Sequence, residues 1–288
     1  MADISIIIVT WNNEDEILAC LESVLVNISH LPHLLIEIII IDNNSSDKTV
    51  EIVKNLKYEK IHIFQNSENL GFTKAVNQGI KKATGKYIYL LNPDTISSKD
   101  CISKLHNYLE NNSEFAAVCP KLINEDGSVQ HSIRSFPDYL SMLFEFSLLS
   151  YLFSKSQFFN SWRMSYFDYN HDSNVLQPMA AALLLRQNVL EKINNFDERF
   201  FMFFNDVDLC KKIFEKNLKI RYISETEALH KKGASVYKSR IKMLKIWNKD
   251  CLSYFEKYHE NFILLLWLNL SLKITSVFRI IYYKLTSK

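Results

Sequence analysis

The sequence predicts an α/β protein: a mostly parallel sheet flanked by helices, followed by C-terminal amphipathic helices. Three observations carry this. Four short runs rich in strand-forming residues, Ile4–Thr10, Ile36–Ile41, Ile61–Gln65 and Tyr87–Leu91, alternate with segments of helical spacing. Polar stretches of Asn, Asp and Ser come after these runs, the punctuation of turns. Of 288 residues, 48% are hydrophobic and 23% charged, which is enough to bury a core and excludes a disordered chain.

Ile4–Thr10 is too short for a typical helix and is broken by residues 12–15. Glu16–Val26 places Ile17, Cys20, Leu21 and Val24 on one helical face. Ile36–Ile41 is a buried-strand run, and Lys48–Leu56 a helix capped by Ser46 or Asp47. Ile61–Gln65 is a third strand, Phe72–Ala83 a helix, and Tyr87–Leu91 a fourth strand. Strands that alternate with helices imply a parallel sheet covered on both faces. Lys121–Gln130 reads as a hairpin around Asn124–Gly127. Residues 135–175 are aromatic-rich and irregular. Ala180–Arg186 is a strand, Val207–Asn217 a helix, Lys219–Ile223 a last strand, and Tyr237–Tyr258 a helix with one apolar stripe.

Glycine is scarce. The five glycines are Gly71, Gly79, Gly85, Gly127 and Gly233, and no set of them makes a dinucleotide fingerprint or a P-loop. The five cysteines are far apart with no C-x-x-C pair, which fits a reduced, cytosolic compartment better than a disulfide framework or a zinc ribbon. The amino terminus lacks a basic region and a small-residue cleavage site, so no signal peptide is expected there.

The net charge of +2 averages two unlike parts. Residues 231–288 carry 12 Lys/Arg and 3 Asp/Glu, against 22 and 29 in the first 230. A basic tail behind an acidic body points to an anionic partner. Phe262–Leu272 is apolar but only eleven residues long, and Lys273 and Arg279 interrupt its continuation. Ile274, Val277, Phe278, Ile281 and Leu285 then form a one-sided stripe beside Lys284 and Lys288. An amphipathic helix lying in a membrane interface fits this better than a spanning one. Packing on the protein's own core or on a second subunit is the alternative.

In such sheets ligands bind beyond the carboxyl ends of the strands. Those ends carry Thr10-Trp11-Asn12-Asn13, Asp42-Asn43-Asn44, Asn66-Ser67-Glu68-Asn69 and Asn92-Pro93-Asp94. The amides and carboxylates suit a base, a ribose and a sugar; phosphates need a cation as well. Asp94 could hold Mg²⁺ or Mn²⁺ against a diphosphate. Taken singly, each residue reads as turn or cap chemistry. Further on, Asp197, Glu198, Asp206 and Asp208 sit among aromatics. Asp206, near a helix start, could be an N-cap or a general base; Asp208 reads as helix-stabilising. His230 comes after a late strand and is either structural or a metal ligand.

The order of these segments resembles glycosyltransferase family 2, inverting enzymes with a GT-A fold, in its rhamnosyltransferase-like branch. SIIIVTWN at residues 5–12 resembles the opening strand and nucleotide-contacting turn. IIIDNNSSD at 39–47 resembles the second strand, whose aspartate, here Asp42, contacts the nucleoside. NLGFTKAVNQG at 69–79 matches the donor-side motif closely, and LNPD at 91–94 occupies the metal-binding D-x-D position with Asn92 in place of the first aspartate. Residues 180–186 followed by FDERFFMFFNDVDL resemble the acceptor-side block. Asn205 replaces the acidic neighbour of the base, and Ala180 and Asn195 stand where glycines are usual.

The resemblance spans about residues 3–235. It implies Asp206 as catalytic base. It implies donor contacts from Thr10, Trp11, Asn12, Asp42, Asn44, Asn69, Gly71, Lys74, Asn77 and Asn92. Acceptor-side roles fall to Arg186, Glu198 and Asn205, and a Mg²⁺ or Mn²⁺ site to Asp94 and His230. It further implies a catalytic part over 1–235, donor-binding to about 120 and acceptor-binding from 121, with a helical extension over 236–288. The expected partners are a nucleoside-diphosphate sugar and a glycan or lipid-linked glycan acceptor, with peripheral membrane contact through 262–288 and no nucleic acid. The place is the cytoplasm, at the inner face of the membrane. A sugar nucleotidyltransferase would need a Gly-rich, Arg-containing loop where Trp11-Asn12-Asn13 stands. A non-catalytic nucleotide-sugar binder is the remaining alternative.

Overall fold

The computed structural model describes residues 1–231 and 240–286. Gly233, the boundary at 235/236, the Tyr237 helix start and Lys288 lie outside the described residues. Strands β1 (Ile4–Thr10), β2 (Ile36–Asp42), β3 (Ile61–Gln65) and β4 (Tyr87–Leu91) form where the four apolar runs predict them. They are joined by helices α1 (Ile17–Ser29), α2 (Thr49–Asn55) and α3 (Phe72–Lys82). The N-cap position of α2 is Lys48, with no side-chain cap; Asp47, one residue earlier, accepts the Thr49 N–H at 3.0 Å. Next come β5 (Thr95–Ser97), α4 (Cys101–Asn111), β6 (Phe115–Ile123), β7 (Ile133–Arg134), α5 (Tyr139–Phe146) and α6 (Leu149–Leu152). The chain goes on through β8 (Ser173–Val175), β9 (Gln177–Pro178), β10 (Ala182–Arg186), α7 (Gln187–Lys192), α8 (Asn205–Glu215) and β11 (Lys219–His230). Helices α9 (Arg240–Tyr258) and α10 (Phe262–Thr286) end it.

The main sheet runs β3-β2-β1-β4-β10-β6-β11-β5, with β8 also on β11. Six of its nine strands point the same way; β5, β8 and β10 oppose them. Every residue of β1 is buried because helices cover both faces. Ile4, Ile6 and Ile8 pack with Ile17, Leu21 and Leu105 on one side. Ile7 and Val9 pack with Ala75, Val76 and Leu209 on the other, as the two-residue strand period requires. Such a run has no hydrophobic alternation, which is why β1 and β2 read as continuous isoleucine. All five cysteines are free and buried.

Two sequence expectations change. The turn at Asn124–Gly127 forms, with Gly127 N–H bonded to Asn124 O at 3.0 Å. Its return strand is reduced to a single bridge, Ile123 with Val129, because β6 pairs instead with β10 and β11. The second concerns the tail, where Lys273 does not break the helix. Helix α10 is one 25-residue element, and its Phe262–Leu285 stretch is long and apolar enough to cross a membrane. The reading of Phe262–Leu272 as too short is therefore corrected: isolated cations at Lys273 and Arg279 leave the helical backbone unbroken.

A third apolar cluster joins this tail to the body. Leu268 and Leu272 of α10 pack with Cys251, Tyr254 and Phe255 of α9, with Met142 of α5, and with Phe200 and Phe204. The stripe Ile274, Val277, Phe278, Ile281 and Leu285 is left exposed, Phe278 at 69%. Leu143 of α5, Leu148 between the helices and Leu152 of α6 are exposed too.

Candidate active site

A cleft of about 500 Å³ opens beyond the carboxyl ends of β1 and β4. One wall comes from strand-end turns. Thr10 and Asp42 are register partners on parallel strands, and Thr10 Oγ1 donates to Asp42 Oδ1 at 2.9 Å. Ser45 also donates to Asp42, through Oγ to Oδ1 and through N–H to Oδ2. Asp42 is fully buried and does not line the cleft; it ties the ends of β1 and β2 together. Asn43, its neighbour, lines the cleft instead and donates to Gly71 O at 3.0 Å. Asn12 and Asn44 take left-handed backbone, with φ of 56° and 65°. Asn12 Oδ1 accepts the Ser46 N–H, so it holds a turn.

Asn69 lines the cleft and accepts the Gly71 N–H at 2.9 Å. Gly71 has φ 87°, and a Cβ there would meet Phe201 O at 2.7 Å. Only glycine lets the 200–204 segment approach this closely. Lys74 is exposed on α3 and is not part of the wall. Asn77 bonds both backbone groups of Phe196 and the Glu198 carboxylate. Asn77 and Glu198 thus clamp α3 to the later segment, outside the cleft lining.

Arg186 also lies elsewhere. Antiparallel pairing puts Ala182 opposite Leu91 and Arg186 opposite Tyr87, at the far end of β4 from Asn92. Its guanidinium donates to the carbonyls of Phe115, Leu109 and Asn112 and to Tyr87 Oη. The expected acceptor-side role is corrected to satisfying chain ends at the bottom of the sheet, because strand direction, not sequence order, fixes which end faces the site.

The opposite wall carries Asn205 and Asp206 at the start of α8. Phe204, just before them, is a non-glycine residue at φ 58°. Asp206 Oδ1 accepts the Val207 N–H at 2.9 Å, and Oδ2 accepts from Gln177 Nε2 at 3.2 Å. Burial pushes the Asp206 carboxyl above its ordinary range, against the pull of Arg134 and nearby backbone N–H groups. Asp208 points away and holds Lys257 and Tyr258 of α9, in keeping with its structural reading.

Asp94 and His230 meet as expected, with Oδ1 and Nε2 at 3.4 Å. Asn92 Nδ2 is also 3.4 Å from His230 Nε2. Gln130 fixes the histidine. Its amide N–H groups go to Asn124 Oδ1 and His230 O, so its Oε1 must accept from His230 Nδ1 at 2.7 Å. In the neutral ring Nε2 then carries the lone pair and faces Asp94. Asp94 Oδ1 is buried and accepts no hydrogen bond. Two facing acceptors with an orphaned carboxylate oxygen suit a divalent cation whose other ligands come from a diphosphate and water. Among the described residues no three His, Cys, Asp or Glu side chains converge.

Several cleft residues carry no signal in the sequence. Arg134 and Gln177 come from the two-residue strands β7 and β9 that flank the irregular region, Trp162 from within it, and Met243 and Trp247 from α9. Asp250 of α9 is fully buried, and its carboxylate accepts the N–H groups of Phe201, Met202 and Phe203 at 2.9–3.2 Å. An aspartate in a helical stretch looks ordinary; only the fold shows it holding the loop that carries Asp206.

A mostly parallel sheet flanked by helices, with a cleft at its strand ends, is the architecture of the GT-A class of glycosyltransferases. Two solved structures share the fold. TarS from S. aureus matches over 90% of this chain and 73% of its own at 14% identity and TM-score 0.55. GalNAc-T7 with UDP, GalNAc and Mn²⁺ matches over 91% and 49% at 13% identity and TM-score 0.62. The family model for glycosyl transferase family 2 matches residues 5–172, and the chain belongs to that family. Among curated relatives, rhamnosyltransferase WbbL of Escherichia coli is 26% identical over 78% of this chain and 82% of its own. The N-acetylglucosaminyl-diphospho-decaprenol L-rhamnosyltransferase of Mycobacterium tuberculosis is 22% identical over 83% and 81%. A low-salt glycan biosynthesis hexosyltransferase of Haloferax volcanii is 24% identical over 79% and 67%.

Proposed function

We propose that this glycosyltransferase inverts the anomeric centre in a single displacement. Its donor is a nucleoside-diphosphate sugar, dTDP-rhamnose in the first instance. Its acceptor is a hydroxyl of a growing, lipid-linked bacterial surface glycan. The observation that carries the reading is one cleft with the half-buried Asp206 carboxylate on one wall and the Asp94–His230 pair on the other.

Asp206 takes the proton from the acceptor hydroxyl, and that oxygen attacks the anomeric carbon as the diphosphate leaves. Gln177 and the Val207 N–H hold the Asp206 carboxylate in place for this transfer. Mg²⁺ or Mn²⁺ held by Asp94 and His230 would neutralise the leaving diphosphate. Thr10, Trp11, Asn43, Asn69 and Asn92 line the donor wall. The work divides as the chain does, donor binding within about 1–120 and acceptor binding within 121–235. The exposed face of α10 (Val277, Phe278, Ile281), with basic residues nearby, rests on the inner face of the cell membrane and brings the enzyme to lipid-linked substrate.

Thermal stabilisation by UDP, dTDP and GDP, each with and without Mn²⁺, tests the donor and the metal together. Stabilisation by dTDP above the others, increased by Mn²⁺ and abolished by EDTA, is expected. Equal, metal-independent responses would sink both assignments. Mass spectrometry of the product with the preferred donor then separates transfer from mere binding.

A further inference from the structure

Arg134 is the one Lys or Arg among the described residues that line the cleft. Its guanidinium sits 5.0 Å from the Trp162 ring centroid, and the Asp206 and Glu145 carboxylates act on it without a contact ion pair among the described residues. The contrast with Arg163 is sharp. Arg163 also lies near Trp162, at 5.9 Å, but its charge is answered by Glu145 through two 2.7 Å bonds from Nε. The Arg134 backbone is fixed on both sides. It pairs with Gln177 across the β7–β9 ladder, and the next residue, Ser135, bonds Trp162 O at 3.0 Å. A cation over an aromatic ring, anchored in a strand and not closed into a contact ion pair, keeps donors for an incoming anion.

The cleft otherwise presents Asp94 and Asp206, which repel an anion. The position of Arg134 selects which anion it serves. Its ladder partner Gln177 donates to Asp206, the group that must face the acceptor hydroxyl. The donor diphosphate belongs at the other wall, with Asp94 and His230. We infer that Arg134 binds a phosphate group carried by the acceptor, and so selects a phosphate-linked lipid acceptor over a neutral glycoside. This rests on the transferase reading for the identity of the acceptor, but the anion site itself does not.

Geranyl diphosphate tests it by calorimetry, with geraniol as the neutral match and UDP and dTDP as donor-side probes. The wild-type protein is expected to bind geranyl diphosphate at least about tenfold more tightly than geraniol. Arg134→Gln should remove that preference, Arg134→Lys should keep only the part that charge alone supplies, and nucleotide affinities should stay within about threefold. Arg134→Met, matched in length, serves as the neutral variant if the glutamine protein does not fold. Unchanged geranyl diphosphate binding in a folded neutral variant overturns the inference. So does an equal loss of nucleotide binding, which would assign the anion to the donor. Nucleotides that failed to bind the wild type would sink the transferase reading and leave this comparison intact.

Discussion

The two walls of the cleft are built in different ways. The proposed donor wall consists of turns that come directly after parallel strands, and its polar groups mostly bond to one another: Thr10 with Asp42, Asn43 with Gly71, Asn69 with Gly71. The acceptor wall is assembled from distant pieces. Arg134 comes from a two-residue strand, Trp162 from an irregular segment, Asp206 from a helix start, and Trp247 from the late helix α9. Asp250 then ties that helix to the Phe201–Phe203 amides. The first wall is rigid because the sheet makes it. The second depends on α9 and α10 docking correctly, which makes it the wall where stability and the exposed apolar helix α10 are coupled.

If the walls are separable, Asp206→Asn should lower kcat by about 10²–10⁴-fold. Nucleotide binding, a property of the other wall, should stay unchanged. The same variant should be more stable at neutral pH. Burial raises the folded carboxyl pKa above its unfolded value, so ionised Asp206 costs stability. That cost is absent below the unfolded pKa and appears as pH rises through the folded one. Melting curves of both proteins from acid to neutral pH should converge in acid and part above it; an Asn variant less stable at neutral pH would contradict the burial argument.

Asp250→Ala should strike the link between walls. It leaves three backbone N–H groups without their acceptor and is expected to cost about 3 kcal/mol in urea unfolding. Hydrogen exchange should quicken at residues 201–203 while the β1–β2 amides stay protected. Uniform exchange across both walls would break the comparison. The smallest effect on the cleft is expected from Val277→Glu with Phe278→Glu on the exposed face of α10. This protein should lose flotation with anionic vesicles yet keep its transfer rate on a soluble acceptor. Vesicle binding that survives both charges would remove the membrane role of this face.

The donor wall was legible in the sequence because each strand and its turn are contiguous. Residues 69–79 carry Asn69, Gly71 and Asn77 at fixed spacing, and the structure finds a use for each. Yet the role expected from position was not always the role found. Asn77 and Glu198 clamp each other, and Arg186 serves the far end of the sheet, since side-chain direction depends on partners the spacing does not reveal. Asp206 stood out as a carboxylate near a helix start among aromatics. Arg134 and Asp250 did not, for nothing local distinguishes a guanidinium that faces a cleft or a carboxylate that receives three amides from another element.

By itself the sequence determined the alternation of strand and helix, the strand-end polar turns, the glycine at the tight approach, and the order of motifs that marks the family. These arise from backbone preference and hydrophobic period, which act over a few residues. Tertiary structure alone decided which end of β10 faces the site, which arginine stays out of a contact ion pair, and how α9 grips the loop before Asp206. It also decided that the apolar stripe of α10 stays uncovered. Those outcomes depend on which surfaces meet across distant parts of the chain, where burial and hydrogen-bond pairing, not local pattern, select the arrangement.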